Sequence, residues 1–386
     1  MPEVTDSRPL AMLVTRNFPP LLGGMEKLNW HLLSALIPVS HIALCGPAGC
    51  EAYVPPQTEV RQARVKPLPA FLLATFWNAV YLSFRKKPMW MIAGSGLTAP
   101  IVWLAAKCAG SRTVAYLHGL DIVAPSRVYQ WLWLPFIRHC DIVLANSANT
   151  ARLAQQQGVH ADRVHILHPG TDLPELDASA ACRFREQHGL GQCQLLLSIG
   201  RLTQRKGLAE FVAKALPAIV REYPETILAV IGVEAVDALH TRSGSERARI
   251  LSAACEAGVE QHLRFLGRCD EASLSMAYQA ADLHVFPVLE LPGDIEGFGM
   301  VALEAAAHGL PTVAFAVGGV PEAVQDERTG TLVESGDYAG IAEAAIRWLK
   351  RARAEDVSET CRAFAADKTW TVFGVRLRKV LDIAHV

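Results

Sequence analysis

The stretch from Leu195 to Gly207 has the sequence LLLSIGRLTQRKG, and a helical pattern follows it over residues 207–223. An apolar run that ends in a glycine-containing loop and leads into a helix is typical of the start of a parallel sheet. The same order occurs near the beginning of the chain, where residues 10–15 are apolar and residues 25–36 have helical periodicity. These two openings predict two α/β units in tandem.

Short apolar runs alternate with helical patterns through both halves of the chain, as in parallel sheets with crossover helices. The predicted strands are residues 10–15, 41–45, 89–93, 113–117, 142–145, 164–167, 195–199, 227–231, 264–266, 283–286, 312–315 and 330–333. The predicted helices are residues 25–36, 101–108, 150–157, 207–223, 248–257, 273–280, 301–308 and 339–353. The segment 171–194 is rich in acidic and small residues, and we expect the domain boundary there, with domains at 1–173 and 174–370.

The length of 386 residues also favours two domains, because a single hydrophobic core stops growing at about 250–300 residues. The formal net charge of -1 gives no overall case for a nucleic-acid partner. Nine cysteines without a Cys-x-x-Cys pair favour free thiols in a reducing compartment. The acidic start lacks the pattern of a signal peptide, so we expect a cytoplasmic location.

Metal-binding patterns are missing from the sequence. There is no Asp-x-Asp and no His-x-x-x-His pair, and we therefore expect neither a required metal nor another bound cofactor. One uncharged stretch, residues 67–84, could resemble a membrane span, but its two early prolines leave about 15 residues, fewer than the ~20 that a spanning helix needs. We expect a core or interfacial helix there.

Ligands of doubly wound domains bind at the carboxyl ends of the strands, so the loops at those ends, facing a cleft between the domains, are the candidate sites. The loop with Gly23 and Gly24 would let a ligand approach the backbone closely. Arg201 and Lys206 follow the first strand of the second domain, where they could neutralise a leaving phosphate. Taken alone, the first feature is also typical of a plain turn and the second of a solvated basic loop.

Two further groups follow later strands. Glu296 precedes a glycine-rich turn and Glu304 lies on the helix after it, so a loop carboxylate and free helix amides could bind sugar hydroxyls and phosphate. An ordinary helix start is the alternative. His118 follows the strand at 113–117 and could donate a hydrogen bond to a ligand, although a lone histidine is often structural.

Together these groups resemble the retaining family 4 glycosyltransferases of the GT-B fold. The likeness covers nearly the whole chain and rests on the order of its motifs. They are Gly23-Gly24, His118-Gly119-x-Asp121, His168-Pro169-Gly170-Thr171-Asp172, Gly200-Arg201 with Lys206-Gly207, Phe265-Leu266-Gly267, Glu296-x7-Glu304 and Gly318-Gly319-Val320-Pro321-Glu322. The resemblance implies two Rossmann-like domains facing across a cleft, with residues 371–386 forming a helix that returns to the first domain.

The resemblance also implies a role for each matched residue. Arg201 and Lys206 would hold the donor diphosphate and stabilise the leaving nucleoside diphosphate, while Glu304 would bind the ribose. Glu296 would hold the donor sugar and its distal phosphate, together with main-chain amides. Those amides belong to Gly297, Phe298, Gly299 and Met300.

In the first domain, the resemblance implies that Gly23 and Gly24 close over the phosphates and that His118 contacts the sugar near its anomeric carbon. No carboxylate nucleophile is evident, the nearest candidates being Glu26 and Asp121. We therefore expect same-face substitution with retention, in which the leaving phosphate helps to deprotonate the acceptor and catalysis depends on charge stabilisation.

The donor base is expected beside residues 267–271, which makes Cys269 and Glu271 donor-binding residues. The loop at 290–297 resembles that of bacterial mannosyltransferases with lipid-linked acceptors, which favours a GDP-sugar of the mannose type. A UDP-hexose is the alternative.

Charge is divided unequally along the chain. Residues 1–176 have a balance of +5 and residues 177–386 a balance of -6, and the first part holds six of the eight tryptophans. Basic residues at 61–66 and 85–87 flank the aromatic segment 71–84, which suits an anionic leaflet, although the aromatic side chains could instead be buried. Residues 129–136 form a second, weaker candidate.

We expect a lipid-linked saccharide or a lipopolysaccharide-type acceptor, with the enzyme peripheral on the inner face of the plasma membrane. The alternatives are a small soluble acceptor or an inactive nucleotide-sugar-binding protein.

Overall fold

The computed structural model describes residues 8–124, 126–234, 245–351 and 355–383. The chain divides into two compact units: unit 1 is Met1–Gly170 with Trp370–Val386, and unit 2 is Thr171–Thr369. Predictions made for residues 1–6, 352–353 and 384–386 lie outside the described residues. Each unit has one parallel sheet with helices, as the alternating pattern predicted.

Unit 1 has a seven-stranded sheet in the order β3-β2-β1-β4-β5-β6-β7, and all its pairs are parallel. Its central strands are buried almost throughout, which is expected of a parallel sheet covered on both faces. The strands are β1 (Leu10–Val14), β2 (His41–Pro47), β3 (Glu59–Ala63), β4 (Trp90–Ala93), β5 (Arg112–Leu117), β6 (Ile142–Ala145) and β7 (Val164–Ile166).

Helices follow most strands of unit 1. They are α1 (Gly24–Leu36), α2 (Leu68–Lys86), α3 (Ala99–Ala109), α4 (Leu120–Val123), α5 (Arg127–Leu132), α6 (Leu134–Arg138) and α7 (Ala148–Gln156), with short 3-10 turns at Cys50–Tyr53, Gly96–Thr98 and Ala161–Arg163.

Unit 2 has a six-stranded parallel sheet in the order β10-β9-β8-β11-β12-β13. Its strands are β8 (Leu195–Ile199), β9 (Ile227–Ile231), β10 (Leu263–Gly267), β11 (Leu283–Phe286), β12 (Thr312–Phe315) and β13 (Gly330–Val333). The core consists of apolar side chains from these strands and from the helices on both faces.

The helices of unit 2 alternate with its strands. They are α8 (Ala178–Gln187), α9 (Leu208–Lys214), α10 (Leu216–Glu222), α11 (Glu246–Glu256), α12 (Glu271–Ala280), α13 (Met300–Ala307), α14 (Val320–Ala323), α15 (Tyr338–Lys350) and α16 (Glu355–Ala366), with 3-10 turns at Gln204–Lys206 and Glu260–His262. The chain then returns to unit 1 as α17 (Trp370–Val380), which packs on α1, where Arg378 Nη1 donates to the carbonyl of Ala35 at 2.9 Å.

Several details differ from the sequence prediction, which also did not include helices α4, α5, α6, α14 and α16. Strand β3 was not predicted, because its sequence EVRQA is mostly polar and exposed at the edge of the sheet. The helix predicted at 207–223 is in fact two helices, α9 and α10, since Pro217 cannot donate within a continuous helix. Helix α8 lies in the segment interpreted as a linker.

Within the described ranges, no helix is both long enough and apolar enough to cross a membrane. All nine cysteines are free thiols, in agreement with the prediction.

Candidate active site

A cluster of four charged side chains lies at the carboxyl end of the unit 2 sheet. Arg205 and Lys206 lie on the 3-10 turn that follows β8, and Asp294 and Glu296 lie on the loop before α13. Lys206 Nζ is 2.9 Å from Glu296 Oε2, and Arg205 Nη1 donates to the same oxygen. Arg205 Nε is 3.0 Å from Asp294 Oδ1. Two cations and two carboxylates therefore neutralise one another in one place.

Little of this cluster is exposed to solvent, since each of the four side chains keeps only 13–16% of its surface accessible. Burial alone would raise the pKa of Glu296, but the charges and hydrogen bonds of Lys206 and Arg205 together outweigh it and lower that pKa to about 2. The pKa of Lys206 is lowered too, but for a different reason: burial disfavours its charged form, and the charge of Arg205 adds to this effect. Glu296 is thus an ionised acceptor at neutral pH.

Lys206 has a second favourable contact, because its Nζ lies 4.5 Å from the centre of the Phe286 ring. The Phe286 ring also stacks on the ring of His284, two residues earlier on β11, with 5.7 Å between the ring centres. His284 is fully buried, and burial followed by the charge of Lys206 lowers its pKa to about 3. His284 is therefore neutral beside the ammonium group.

The main chain of the Glu296 loop is held by the turn at Gly318 and Gly319. The amide of Gly319 donates to the carbonyl of Glu296 at 3.0 Å. A Cβ on Gly318 would lie 2.3 Å from that carbonyl oxygen, and one on Gly319 would lie 2.1 Å from the carbonyl oxygen of Gly297. Only glycine fits this approach, which explains a motif noted in the sequence.

The predicted glycine-rich turn leads into α13. Gly299 has φ 94, a left-handed conformation that favours glycine, and Met300 is the first residue of the helix. The first amides of a helix have no intrahelical acceptor, so they are available to an anion. Phe298 is buried in the core, so its ring is not available to a ligand.

Glu304 lies one helical turn further along α13. Its Oε2 accepts a hydrogen bond from Tyr278 Oη at 3.2 Å, and Tyr278 itself is buried. The Tyr278 ring stacks on His308 at 4.7 Å, and His308 in turn contacts the carbonyl of Glu304. Glu304 is thus oriented by the residues beneath it.

Arg201 differs from the other two cations of its loop. Its side chain is exposed, and no hydrogen bond or ion pair joins it to another described residue, although its charge contributes to lowering the pKa of Lys206. Arg201 and Lys206 line a small recess at the end of β8 together with Ser198 and Gly200. The structure thus brings the two predicted phosphate ligands to one recess, with Arg201 accessible to a ligand.

The two residues predicted beside the base lie at the end of β10. Cys269 is partly buried, and burial together with the charge of Asp270 raises the pKa of its thiol, while Glu271 is exposed on the first turn of α12. No contact joins either of them to the Lys206–Glu296 pair among the described residues.

In unit 1, Gly23 precedes α1 and Gly24 is its first residue. A Cβ on Gly23 would lie 2.4 Å from Oε2 of Glu26, and the other carboxylate oxygen of Glu26 accepts a hydrogen bond from Asn17 Nδ2 at 2.7 Å. Asn29 Nδ2 is shared between Thr15 Oγ1 and the carbonyls of residues 17 and 94. This glycine turn is therefore fixed by neutral hydrogen bonds and one carboxylate.

His118 is mostly buried at the end of β5. Its Nε2 lies 2.9 Å from the carbonyl oxygen of Gly94, and because a carbonyl only accepts, Nε2 must carry the proton. Nδ1 of a neutral ring is then an acceptor, and it has no partner within the described part of the chain. Asp121 accepts from the amide of Gly96 at 2.8 Å and serves to hold that turn.

Some residues of these sites were not singled out from the sequence. Arg205 shares a loop with Arg201 and Lys206, and only packing decides which of the three face Glu296. Tyr278 carried no pattern that distinguished it. Asp294 could have been singled out only by its spacing, because it is a carboxylate two residues before Glu296.

No three His, Cys, Asp or Glu side chains are grouped to hold a metal ion anywhere in the described ranges.

The two loops of unit 2 and the glycine turn of unit 1 have the form expected of sugar-nucleotide transferases, and comparison with known families agrees. Residues 22–175 match the family described as "Glycosyltransferase Family 4", and residues 183–365 match "Glycosyl transferases group 1". The chain therefore belongs to the family 4 glycosyltransferases and is a glycosyltransferase, as the sequence motifs indicated.

Two relatives extend over almost the whole chain. A GDP-mannose-dependent alpha-(1-6)-phosphatidylinositol monomannoside mannosyltransferase of Mycolicibacterium smegmatis is 30% identical over 96% of this chain and 98% of its own length. A GDP-mannose-dependent monoacylated alpha-(1-6)-phosphatidylinositol monomannoside mannosyltransferase of Corynebacterium glutamicum is 28% identical over 96% of this chain and 97% of its own length.

Solved structures confirm the fold. Sucrose-phosphate synthase of Thermosynechococcus elongatus has a TM-score of 0.78 at 21% identity, and the match covers 97% of this chain and 98% of that one. HepE of Anabaena in complex with UDP has a TM-score of 0.77 at 19% identity over 97% and 99% of the two chains. The predicted GT-B fold, with two Rossmann-like domains, is confirmed.

Proposed function

We propose that the protein transfers a mannose-type hexose from a GDP-sugar to a lipid-linked acceptor, with retention at the anomeric carbon. The names of the two full-length relatives support both the donor and the lipid acceptor. The observation that carries the proposal for this chain is the cluster of Lys206 and Glu296 beside Arg201. It offers cations to a diphosphate and an ionised carboxylate to sugar hydroxyls.

In this proposal Arg201 and Lys206 bind the donor diphosphate and stabilise the charge that develops as the nucleoside diphosphate leaves. Glu296 accepts hydrogen bonds from the sugar, with the amides at residues 297–300 on the distal phosphate. Glu304, oriented by Tyr278, accepts hydrogen bonds from the ribose. The base lies beside Cys269 and Glu271.

Unit 1 contributes the glycine turn and a histidine. Gly23 and Gly24 cover the phosphates, and His118 contacts the sugar through its accepting Nδ1, since Nε2 is committed to Gly94. The acceptor hydroxyl attacks from the face that the phosphate leaves, and its proton passes to the departing phosphate oxygen. The protein cations supply the positive charge, so the reaction requires neither a metal nor another cofactor.

The exposed face of α2 supports a lipid acceptor. Leu73, Trp77 and Phe84 expose 62%, 62% and 63% of their surface on this helix, whereas Phe71 on the opposite face is fully buried. The sequence left open whether the aromatic side chains of this segment face a membrane or are buried. One face of the helix is exposed and the other is buried, so both occur. An exposed apolar stripe of this kind suits the interfacial region of a bilayer.

Basic residues accompany the stripe. Arg85 Nη1 donates to Tyr81 Oη at 2.6 Å, and Arg61 lies 4.6 Å from the centre of the Tyr81 ring. Lys86 pairs with Glu59 at 2.5 Å, which leaves Lys87 as a further cation at the helix end. We propose that this face binds the anionic cytoplasmic leaflet peripherally.

Transfer assays test the proposal. Purified protein receives radiolabelled GDP-mannose or UDP-glucose with either a phosphatidylinositol mannoside in micelles or soluble inositol phosphate, with and without EDTA. We expect label in the lipid from GDP-mannose only, insensitivity to EDTA, and an α linkage in the product by NMR. Label only in the soluble acceptor, or only from UDP-glucose, would contradict the acceptor or the donor, and turnover that EDTA abolishes would contradict metal independence.

Membrane contact has its own test. Vesicles containing phosphatidylserine should sediment the wild-type protein, and Trp77→Ser with Phe84→Ser should lower the bound fraction several-fold. Trp103→Ser, on another helix of the same unit, is the matched control. Equal sedimentation of all three proteins would contradict this part of the proposal.

A further inference from the structure

Two cations converge on a single oxygen of Glu296, and they differ in what else they contact. Arg205 binds Glu296 Oε2 and also Asp294, with Nε at 3.0 Å from Asp294 Oδ1. Lys206 binds Glu296 Oε2 at 2.9 Å, and its other close contact is the ring of Phe286. Arg205 is therefore held by two carboxylates and Lys206 by one.

The main chain reinforces the position of Arg205. Its carbonyl accepts a hydrogen bond from the amide of Leu289 at 2.8 Å, which joins the 3-10 turn to the segment that leads to Glu296. Gly207, just after the turn, has φ 66, and a Cβ there would lie 2.0 Å from the carbonyl oxygen of Pro287. The turn is thus joined through main-chain atoms, on both sides of Lys206, to the segment that leads to Glu296.

Binding of a diphosphate beside Glu296 requires a cation that can leave this carboxylate without leaving it unpaired. The negative charge of the diphosphate needs cations, and Lys206 can turn to it because its Nζ is held by one carboxylate and the Phe286 ring, whereas Arg205 is held by two carboxylates. If Lys206 alone neutralised Glu296, that movement would leave a buried carboxylate unpaired, which is strongly unfavourable. Because Arg205 stays on the same oxygen, Glu296 remains paired.

We infer that Arg205 is a positioning residue of the donor site: anchored by Asp294, it keeps Glu296 paired and oriented so that Lys206 is free to bind the donor diphosphate. Arg205 itself need not contact the donor. This inference rests on the proposed function and adds to it a division of labour between neighbouring cations. Arginine suits the role because its planar group reaches two carboxylates at once, which a lysine does not.

Donor binding provides the first test. Isothermal titration of GDP-mannose and of GDP separates the sugar contact from the nucleotide contact. We expect Arg205→Gln to raise the Kd for GDP-mannose about tenfold and the Kd for GDP much less, because Glu296 is assigned to the sugar. Asp294→Asn, which keeps the side-chain shape, should give a smaller loss in the same direction. Arg347→Gln, which removes an exposed arginine paired with Glu327, is the control and should bind both ligands as wild type does.

A double-mutant cycle tests whether Asp294 acts through Arg205. In the Arg205→Gln background, Asp294→Asn should cause no further loss of GDP-mannose affinity, since its partner is gone. Arg205→Lys should recover part of the affinity by restoring charge without the two-carboxylate geometry. Additive losses, or full recovery by lysine, would overturn the inference.

The pH dependence of binding supplies a readout that a purely structural role would not change. The charged groups facing Glu296 are Arg205 and Lys206 from the 3-10 turn and Asp294 from its own loop, and Arg201 and His284 lie near Lys206. Loss of Arg205 removes one of the charges that lower the pKa of Glu296. The affinity of Arg205→Gln for GDP-mannose should therefore begin to fall at a higher pH than that of wild type as the solution is acidified.

The outcomes separate this inference from the proposed function. If wild-type protein binds neither GDP-mannose nor GDP, the proposed function fails. If wild type binds both ligands, and Arg205→Gln binds each of them with the same affinity and the same pH profile as wild type, the inference fails and the proposed function stands. Thermal unfolding of each variant confirms that the folded protein is being measured.

Discussion

The loops that follow the first strand of each unit occupy the same place in the same topology and are built from different chemistry. In each sheet the first strand lies between the second and the fourth strand in chain order, β1 between β2 and β4 and β8 between β9 and β11. That is the point at which the winding reverses and at which doubly wound sheets bind ligands. The loop of unit 1 is fixed by neutral amides around Asn29, and that of unit 2 by ions around Glu296.

The difference indicates that the unit 1 loop contributes mainly a fixed backbone shape and the unit 2 loop mainly charge. Hydrogen bonds between neutral groups hold most of the glycine turn of unit 1, and its one carboxylate, Glu26, accepts from the neutral amide of Asn17. The cations of unit 2 can pair with a negatively charged ligand, and such charge-assisted bonds are stronger than neutral ones. Substitutions in the first loop should therefore affect stability most, and those in the second should affect turnover.

The largest effect is expected in the charged loop. Lys206→Ala should lower kcat by about 10²–10³, as does the loss of one transition-state contact in other enzymes. Its unfolding free energy should change little, because Arg205 still pairs with Glu296. Initial rates with GDP-mannose and urea unfolding measure the two effects. Near-normal turnover would end the assignment of Lys206 to the leaving phosphate.

The two glycine turns should respond unequally to alanine. Gly319→Ala places a Cβ 2.1 Å from a main-chain carbonyl, whereas Gly23→Ala meets the end of the flexible Glu26 side chain at 2.4 Å. We expect Gly319→Ala to reduce kcat/KM roughly tenfold or more and Gly23→Ala to reduce it less, because backbone yields less than a side chain. Equal losses would mean that the turns are equally rigid.

The neutral loop is expected to show the opposite balance. Asn29→Ala removes three hydrogen bonds, two of them fully buried, although each acceptor keeps one other partner, so the unfolding free energy should fall by about 1–3 kcal/mol. Denaturant titration measures this loss. The comparison fails if Asn29→Ala instead leaves stability intact while it abolishes turnover.

Tyr278→Phe should have a smaller effect at the charged site. It removes the hydroxyl that donates to Glu304, so GDP should bind about two- to tenfold more weakly. Binding of 2′,3′-dideoxy-GDP, which lacks the ribose hydroxyls, should be the same in both proteins. A loss of equal size for both nucleotides would argue against ribose recognition by Glu304.

Acid should weaken the ionic pairing of Glu296 between pH 5 and about pH 2. The pKa of Glu296 falls from 4.5 to about 2 on folding, so its contribution to stability is complete above pH 4.5 and is lost as the pH falls through 2. The difference in unfolding free energy between wild type and Glu296→Gln should therefore shrink between pH 5 and about pH 2. A difference that is constant with pH would mean that Glu296 is not ionically paired.

The sequence predicted the fold and the place of the charged loop well, because apolar runs and glycine motifs are local signals. It could not predict which cations meet Glu296, since Arg201, Arg205 and Lys206 lie within six residues and their directions depend on packing. Strand β3 was missed because an edge strand with polar residues lacks a hydrophobic pattern. The exposed face of α2 could not be inferred either, because its aromatic residues occur on both faces of the helix.

The anchoring of Glu296 through main-chain atoms bears on how this enzyme could be diversified. Gly318 and Gly319 hold the loop by its carbonyls at residues 296 and 297, whereas Gly293, with φ 72, has to stay glycine for the backbone to turn there. A library randomised at positions 290–292 should yield mostly folded proteins, whereas one at 318–319 should not. Selectivity for the donor sugar can thus be altered while the loop keeps its path.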